Sequence, residues 1–405
     1  MPPTKGENLK KKTWSEVNKA RKEERKKWKE QNLLRKIEKE KKKIAEKSEK
    51  KETKISVDNS FADDVPIFIS TLSIAVPGSI LENAQSLELR TYLAGQIARA
   101  ACIFQADEIV IFDDYGDEAS AKKSSLENED GVTVARHSCV RFGRILQYLE
   151  CPQYLRKHFF PIHNDLKFCG ILSPLNAPHH LGPNEKFTFR EGVVSKKPAK
   201  NGAYVYVGLN KDVLVDKSLV PGLRCTVKIF LEQETKTKHK GVIVPPSTPR
   251  KETGVYWGYS VRIATSLSKV FSQCPYKEGY DLTIGTSDKG TPVDDFSSPK
   301  YRHALVMFGG LQGLEAALEN DQILDTDDPR NLYDFYLNMC PNQGSKTIRT
   351  EEAVLISLAA LRLKLNPVSR PIDFAGIPEE TDKAEVMMKD SSCEDDDIED
   401  MSRFD

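Results

Sequence analysis

The sequence lacks paired cysteines and long apolar runs, and each absence excludes a class of protein. Its 8 cysteines stand singly, with no C-x-x-C pair, so neither a disulfide framework nor a cysteine-rich zinc site is expected. No run of about 18 apolar residues occurs, which argues against a membrane span. The basic N-terminus has no apolar segment behind it and is not expected to act as a secretory signal. These absences favour a reducing compartment, the cytosol or the nucleus.

Common catalytic and nucleotide-binding signatures are also missing. No Gly-Lys-Ser/Thr follows a glycine-rich strand end, and no G-x-S-x-G elbow occurs, so a Walker loop and a serine hydrolase are unsupported. The run FGGLQG departs by one position from a dinucleotide fingerprint. The histidines and cysteines that lie closest together are His158, His163, His179, His180, Cys151 and Cys169. Their spacing matches no metal signature, so we expect no metal site.

The formal net charge of zero conceals two ends of opposite sign. Residues 1–54 have roughly twice as many Lys and Arg as Glu, and no Asp, whereas the chain ends in the acidic run SSCEDDDIEDMSRFD. Apolar residues in the first segment are too sparse for a coiled coil. This arm is predicted to be a solvated helix or disordered, and a basic arm can also bind RNA or act as a nuclear-targeting signal.

The middle of the chain predicts an α/β layer. Residues 67–78 and 106–114 have the pattern of buried strands, the second ending in acids, and residues 87–104 have that of an amphipathic helix. Residues 131–160 predict another helix, which Pro152 breaks or restarts. Alternating strands and helices are typical of an α/β sheet.

A small β-barrel is predicted between the two halves of this layer. Short strands separated by Gly, Pro, Asn and Lys occur from about 165 to 255, which indicates an inserted antiparallel barrel. Its Tyr and Phe residues are interleaved with basic ones, as in barrels that bind nucleic acid. An ordinary barrel with a solvated outer face would have the same pattern.

The last third of the sequence repeats one arrangement: an apolar strand that ends in a loop of glycine, amide and hydroxyl residues. The three segments are YDLTIGTSDKG (280–290), HALVMFGGLQG (303–313) and LYDFYLNMCPNQGSKT (332–347), and helices are predicted at 313–320 and 351–361. Ligands of open parallel sheets bind outside the carboxyl ends of the strands, so these loops predict one pocket.

The charge at the start of the last helix limits the ligand of that pocket. Thr350 is predicted as the N-cap, and Glu351 and Glu352 fall in the first turn, where carboxylates complement the helix dipole. The same acids would repel a phosphate. A neutral or cationic ligand is therefore favoured, and an adenosine with a positive sulfonium is one that fits.

Long contiguous segments resemble the SPOUT-class RNA methyltransferases. The resemblance rests on 280–290, on RHALVMFGGLQGLEAAL (302–318) and on CPNQGSKTIRTEEAVLISLAAL (340–361). It extends upstream to SIAVPGSILENAQSLELRTYLAGQIARA, RILQYLECPQYLRKHFFP and GVYWGYSVR. The fold that it implies is an α/β SPOUT domain with a trefoil knot and an inserted, OB-like small β-barrel.

The domain ranges that follow are a basic arm (1–60), the first part of the SPOUT domain (66–165), the inserted barrel (166–253), the knotted cofactor-binding part (254–365) and an acidic tail (366–405). The implied cofactor is S-adenosylmethionine. The residues that the resemblance assigns to it are Thr286, Ser287, Arg302, Phe308, Gly309, Gly310, Asn338, Met339, Cys340, Gln343, Gly344, Ser345 and Thr347. Arg302 is also the candidate catalytic residue, although it could instead hold only the carboxylate of the cofactor.

The resemblance further implies RNA as substrate, a homodimer and methylation of ribosomal RNA at N3 of a uridine, with ribose 2′-O-methylation as an alternative. The branch includes a centromere-associated member, which implies kinetochore and spindle proteins as partners, and a nuclear, kinetochore and spindle-pole localisation with some protein in the cytoplasm. A mitotic scaffold without catalysis and an RNA-binding protein without turnover remain alternatives. The retained glycines and the NQGS loop favour the enzyme.

Overall fold

The computed structural model describes residues 69–115, 125–127, 133–199, 201–230, 239–321, 323, 324, 326 and 328–368. All of them belong to the second of two compact units, residues 67–405. The predicted basic arm, and the acidic tail beyond residue 368, lie outside the described residues.

The secondary structure alternates between strands and helices on both sides of a barrel segment. The strands are β1 (Thr71–Pro77), β2 (Glu108–Phe112), β3 (Ser125–Glu127), β4 (Thr133–Arg136), β5 (Phe189–Val194), β6 (Ala203–Tyr206), β7 (Val213–Val215), β8 (Arg224–Ile229), β9 (His239–Val244), β10 (Ser260–Ala264), β11 (Leu282–Pro292), β12 (Lys300–Tyr301), β13 (His303–Met307), β14 (Phe335–Asn338) and β15 (Asn366–Pro367). The α-helices are α1 (Leu87–Ile103), α2 (His137–Glu150), α3 (Gln153–Phe159), α4 (Thr248–Thr253), α5 (Leu267–Ser272), α6 (Gly313–Glu319) and α7 (Thr350–Leu361).

Six parallel strands form the main sheet in the order β10-β2-β1-β13-β11-β14. The central strands are apolar on both faces because helices cover both faces. In β1, Ile74 and Val76 pack into the cluster beneath α1, α2 and α7, whereas Ala75 between them packs into the cluster that includes residues of α5 and α6. This alternation is what the pleat of a strand requires.

The C-terminal segment returns from the edge of the sheet to its centre. β14 is the edge strand, yet the following helix, α7, packs against α1. Beyond α7, β15 pairs with β12, and the Ser298 backbone N–H donates to the Lys364 carbonyl (3.1 Å). The helix therefore lies between α1 and the crossover that links β11 to β13. That return is the path expected of the C-terminal segment in a trefoil knot.

The barrel is closed by five strands in the order β5-β6-β7-β9-β8, with β7 and β9 parallel. Its interior is filled mainly by valines, among them Val205, Val213 and Val227. Branched side chains suit this narrow interior because they pack well on a pleated surface. The predicted inserted barrel is confirmed.

Buried charges join the barrel to the main sheet domain. Arg224 of β8 contacts Glu150 at the end of α2 (2.7 Å) and Glu191 of β5 (2.9 Å). The Trp257 indole N–H donates to Glu191 (2.8 Å), and His179 lies 3.1 Å from Glu150. Burial would raise the pKa of Glu150, but the hydrogen bond from His179 and the Arg224 guanidinium outweigh it and lower that pKa to about 2. Glu150 is therefore ionised at neutral pH.

One predicted helix differs from the structure in its bounds. The helix predicted from residue 131 begins only at His137, because residues 133–136 form β4 and pair with β3. The first barrel strand is Phe189–Val194, within the range predicted for the barrel. The segment before it contains Pro174, Pro178 and Pro183, and proline cannot donate to a strand ladder.

Within the described ranges, no helix is both long and apolar enough to cross a bilayer. The cysteines of these ranges are free thiols. In the same part of the chain, no group of three or more His, Cys, Asp or Glu side chains is placed to hold a metal ion.

Candidate functional site

Three polar loops meet at the carboxyl edge of the main sheet, the edge where its parallel strands end. The first loop, residues 286–290, leaves the sheet within β11, since pairing with β14 is interrupted between Thr286 and Thr291. The second loop, residues 308–313, follows β13, and the third, residues 338–349, links the last residue of β14 to α7. Because β13, β11 and β14 are neighbours, their loops are neighbours as well. The predicted convergence of the three strand ends is observed.

Each loop is hydrogen-bonded to another. The Thr286 hydroxyl donates to the Met307 carbonyl at the end of β13 (2.8 Å), which joins the first loop to the second. The Asn338 side-chain amide donates to the Asp288 carbonyl (3.0 Å), which joins the third loop to the first. The Thr350 hydroxyl donates to the Gly309 carbonyl (2.9 Å), which joins the start of α7 to the second loop. These contacts hold the loop backbones in one arrangement.

The third loop is also ordered internally. The Gln343 side-chain amide donates to the Ser345 carbonyl (2.9 Å), and the Ser345 hydroxyl donates to the Thr347 carbonyl (2.7 Å). Asn342 has φ of 59°, a left-handed conformation that Asn tolerates better than most residues. Ser345 and Thr347 are exposed, so their polar groups face solvent at this edge.

The start of α7 differs from the sequence prediction at one residue. Arg349, not Thr350, is the N-cap, and Thr350 is the first helical residue. The Thr350 hydroxyl is used for the bond to Gly309, while the Arg349 backbone N–H donates to the Glu352 carboxylate (3.0 Å). Glu351 and Glu352 occupy the first turn as predicted. Their charge stabilises the positive end of the helix dipole and disfavours an anion there.

The glycines of the loops differ in what a side chain at each position would contact. A Cβ on Gly309 would lie 2.6 Å from the Gly313 carbonyl carbon, so the fold of the second loop itself requires glycine. A Cβ on Gly310 would lie 3.2 Å from Asp114 Oδ2 and from Ser79 Oγ. At Gly344 no protein atom lies within 4 Å of that position, so the third loop borders open space. Close approach of a ligand to Gly310 and Gly344 remains a prediction.

Two of the predicted cofactor residues are core residues. Phe308 is fully buried, and Met339 is 8% exposed; both belong to the hydrophobic cluster under the sheet. Their side chains support the loops, and only their backbone groups are available to a ligand at this edge. Cys340 is half-buried, and its backbone N–H donates to Asn338 Oδ1 (3.0 Å), which turns the chain after β14.

Arg302 is not brought together with the other predicted residues. It precedes β13 and therefore lies at the amino end of that strand, whereas the second loop follows its carboxyl end. Six residues of extended chain separate the two ends by about 20 Å. The Arg302 guanidinium pairs with Glu278 (3.1 Å) and is 55% exposed. Within one chain, Arg302 therefore does not lie beside the three loops, and its role at the cofactor and in the reaction stays a prediction.

One acid that borders the second loop was not predicted from the sequence. Asp114 follows β2, and its Oδ2 accepts a hydrogen bond from the Ser79 hydroxyl (2.5 Å). Both residues face Gly310. The available signal was the pair of acids that ends the second predicted strand. The pattern alone did not place that strand near the glycine loop, because β2 and β13 are separated by β1 in the sheet.

A cavity of about 660 Å³ lies at the opposite edge, between the barrel and the amino ends of β1 and β10. Thr71 and Ser260 line it from the sheet, and Glu191 and Arg224 line it from the barrel. It is separate from the three loops, because it lies at the amino ends of the parallel strands and the loops lie at their carboxyl ends.

Comparison with known proteins relates this arrangement to one family. A sequence profile described as "Putative RNA methyltransferase" matches residues 71–361. A Drosophila melanogaster protein named 28S rRNA (uridine-N(3))-methyltransferase is 57% identical over 305 residues, which cover 74% of this chain and 63% of that protein. A Mus musculus protein of the same name is 56% identical over 306 residues, covering 74% of this chain and 78% of that protein.

Among solved structures, the SpoU methyltransferase AviRb from Streptomyces viridochromogenes, in complex with the cofactor AdoMet, matches with a TM-score of 0.28 and 12% identity, over 76% of this chain and 64% of that one. This likeness is too weak to support a conclusion. The family profile, by contrast, covers the main sheet, the barrel and all three loops. The predicted SPOUT-like RNA methyltransferase family is confirmed, and the chain belongs to this family of RNA methyltransferases.

Proposed function

We propose that this protein transfers a methyl group from S-adenosylmethionine to N3 of a uridine in large-subunit ribosomal RNA. The observation that carries the proposal is the set of three mutually hydrogen-bonded loops at the carboxyl edge, in a chain whose family methylates RNA. The choice of N3 and of the large-subunit RNA rests on the names of the Drosophila and mouse relatives.

The residues of the three loops fit S-adenosylmethionine. Backbone groups at Gly310 and Gly344, with the hydroxyls of Ser345 and Thr347, offer hydrogen bonds to an adenosine and an amino-acid group. The first-turn acids of α7 favour a cationic ligand over a phosphate. When bound, S-adenosylmethionine supplies a methyl group already activated by a sulfonium.

The work left to the protein is positioning. The bonds Thr286–Met307, Asn338–Asp288 and Thr350–Gly309 tie the loops to the ends of rigid strands and to a helix. Groups held in this way need little reorganisation when a substrate nitrogen approaches the methyl group in line. Exclusion of water by the loops and the bound RNA completes the site.

The barrel is the proposed RNA-holding surface. Exposed lysines on its described part are Lys186, Lys196, Lys197, Lys217 and Lys240. Tyr206 of β6 is half-exposed, and the Lys157 ammonium lies 5.9 Å from the centre of its ring. Cations that contact phosphates, beside an aromatic ring on which a base can stack, are typical of barrels that bind single-stranded nucleic acid.

A homodimer through α1 and α7 is part of the proposal. α7 is apolar on most of its circumference, and Leu355 on its outer side is 47% exposed. On the adjacent α1, Leu89 and Tyr92 are 54% and 52% exposed. Two packed helices with outward apolar side chains form a patch that a second copy can cover through a two-fold axis.

Replacing Leu355 with glutamate is expected to convert the dimer into monomers, because two buried carboxylates would meet near the two-fold axis. Light scattering coupled to size-exclusion chromatography measures the mass in solution. The matched control is Val220→Glu, which alters an exposed apolar residue of the barrel, 75% exposed, and should leave the mass unchanged. A monomeric wild type, or a dimeric Leu355→Glu protein, would contradict this interface.

The nuclear, kinetochore and spindle-pole localisation and the mitotic partners stay predictions from the sequence. They do not follow from the geometry of the loops.

The reaction is tested in cells by nucleoside mass spectrometry of large-subunit ribosomal RNA. Cells without the protein are expected to lose N3-methyluridine at one site, and the wild-type gene is expected to restore it. Loss of a 2′-O-methylated nucleoside instead would favour the ribose alternative, and unchanged nucleosides would reject an rRNA target.

A further inference from the structure

The carboxylate of Asp114, which borders the second loop, has a fixed orientation. Asp114 Oδ2 accepts from the Ser79 hydroxyl (2.5 Å), and Oδ1 accepts from the Ser79 backbone N–H (3.4 Å). The Asp114 carbonyl accepts from the Asn320 side-chain amide at the end of α6 (2.9 Å). Backbone and side chain are thus both held, from two directions. A group positioned in this way loses little rotamer freedom when it acts.

This carboxylate faces Gly310. A Cβ on Gly310 would be only 3.2 Å from Oδ2, so the glycine leaves the carboxylate next to the backbone of the second loop. The loops assigned to the cofactor lie on the β13, β11 and β14 side of Gly310, and Asp114 lies on the β1 and β2 side. A uridine nucleobase inserted at the carboxyl edge between these two sides would have the cofactor loops on one side and the Asp114 carboxylate on the other.

Methylation at N3 of uridine needs a proton acceptor, because the imide nitrogen carries a hydrogen that must leave. We propose that Asp114 is the general base that removes this proton. The N3–H bond breaks and its proton goes to Asp114; the N3 electron pair forms the new N–methyl bond as the methyl–sulfur bond breaks and the sulfur keeps that electron pair. This inference rests on the proposed function at N3.

Other acids near Asp114 are engaged in contacts of their own. Asp113 lies 3.5 Å from the Arg136 guanidinium and accepts from the Tyr115 backbone N–H (3.1 Å), so its carboxylate is engaged. Glu82 lies 4.0 Å from Arg136.

At the same edge, Glu315 pairs with Lys289 (2.9 Å), and Glu352 holds the start of α7. The Cys139 thiol donates to the Phe112 carbonyl (4.0 Å), and burial raises the pKa of that thiol well above its usual range, so it stays neutral.

Burial also makes the Asp114 carboxylate more basic than an exposed one. It raises the pKa of Asp114 above the ordinary range, against the lowering effect of the Ser79 hydrogen bond, while the nearby Asp113 raises it further. A raised pKa makes the carboxylate a stronger base. The working form is the carboxylate, so activity is expected to fall as pH is lowered through this raised pKa.

The test compares the wild type with Asp114→Asn on two RNA substrates, one with uridine and one with 5-fluorouridine at the target. Asn keeps the oxygen that accepts from Ser79 but cannot take a proton. On uridine, the single-turnover rate is expected to fall about 10²- to 10⁴-fold. On 5-fluorouridine, whose N3–H is more acidic, the loss should be much smaller. Affinities for S-adenosylmethionine and for RNA, measured by calorimetry, should stay within about twofold.

Two controls separate a chemical role from a structural one. Asp295→Asn makes the same substitution at an exposed acid of the crossover and should leave the rate unchanged. Ser79→Ala removes the hydroxyl donor but keeps the carboxylate, so it should retain most of the activity and shift the acid limb of the pH–rate profile upward. In wild type, a carboxyl carbon resonance that is lost in Asp114→Asn should titrate at the pH of that limb.

The inference is overturned if Asp114→Asn methylates uridine at the wild-type rate, or if it loses equal activity on both substrates together with RNA or cofactor affinity. Failure of the proposed function would give a different result. The wild type itself would then make no N3-methyluridine, and the role of Asp114 as its general base would be rejected as well.

Discussion

Replacing Gly310 with glutamate is expected to weaken S-adenosylmethionine binding by about 10- to 100-fold and to abolish methyl transfer. The substituted Cβ would already lie 3.2 Å from Asp114 Oδ2 and from Ser79 Oγ, so the second loop must shift by a few tenths of an ångström. Overpacking of this kind costs about 1–3 kcal/mol of folding free energy. If the displaced loop must return to its wild-type position to bind the ligand, most of that strain is subtracted from the binding free energy, which gives roughly the stated loss of affinity. The added carboxylate would also repel Asp114, at the point where the loop backbone is proposed to meet the ligand.

Calorimetric titration of S-adenosylmethionine measures this effect. The matched control is Gly170→Glu, because a Cβ on Gly170 would have no atom within 4 Å. It should bind with wild-type affinity. A Gly310→Glu protein that melts at the wild-type temperature and binds S-adenosylmethionine normally would mean that the second loop is not part of the cofactor site.

Replacing Arg224 with methionine is expected to lower the free energy of unfolding by about 3 kcal/mol. Glu150 and Glu191 are 9% and 5% exposed at their side chains, and Arg224 is the cation that they share. Removal of one partner from a buried ion pair leaves uncompensated charge and costs about 3–5 kcal/mol. The lower end applies because the Arg224 side chain is itself 34% exposed.

Urea denaturation at several pH values measures this loss, with Lys228→Met as the control in the same strand. Lys228 pairs with Glu252 at the surface, and its removal should cost less than about 1 kcal/mol. The pKa of Glu150 is depressed to about 2, so its stabilising effect is complete above about pH 4.3 and lost as pH falls towards 2. The difference between wild type and Arg224→Met should shrink over that range. A constant difference would show that charge pairing is not its cause.

Local pattern in the sequence was sufficient to predict the three loops but not the neighbours of the site. Thr286, Gly309 and Asn338 follow apolar strands, and parallel strands bring their carboxyl ends to one edge, so their convergence follows from alternation and turn residues. Asp114 also ends a strand. In the sheet, β1 lies between β2 and β13. This strand order is set by packing of the whole sheet, and no local sequence pattern predicts it.

Two predicted features differ from the arrangement within one chain, for physical reasons that are visible only in the fold. Arg302 is close to the second loop in sequence, but an extended strand separates them, and its guanidinium pairs with Glu278 instead. Thr350 has the residue type of an N-cap, yet its hydroxyl bonds to Gly309, a contact across 41 positions of sequence. Capping preference is a local property, and a tertiary hydrogen bond overrode it.

The outer face of α7 shows a third limit. Its sequence is apolar on nearly every side, a pattern typical of a helix that is buried all round. In the structure, Val354, Leu358 and Leu361 are buried, whereas Leu355 is half-exposed. A single chain cannot distinguish a face covered by its own fold from one that a second copy covers.

The most direct test of the central claim uses purified protein, a large-subunit rRNA fragment and S-adenosylmethionine with a deuterated methyl group. After digestion to nucleosides, mass spectrometry locates the label. The wild type is expected to give labelled N3-methyluridine, and Gly310→Glu is expected to give none. Label on a ribose 2′-oxygen, or no label in RNA from a folded wild-type protein that binds the cofactor, would contradict it.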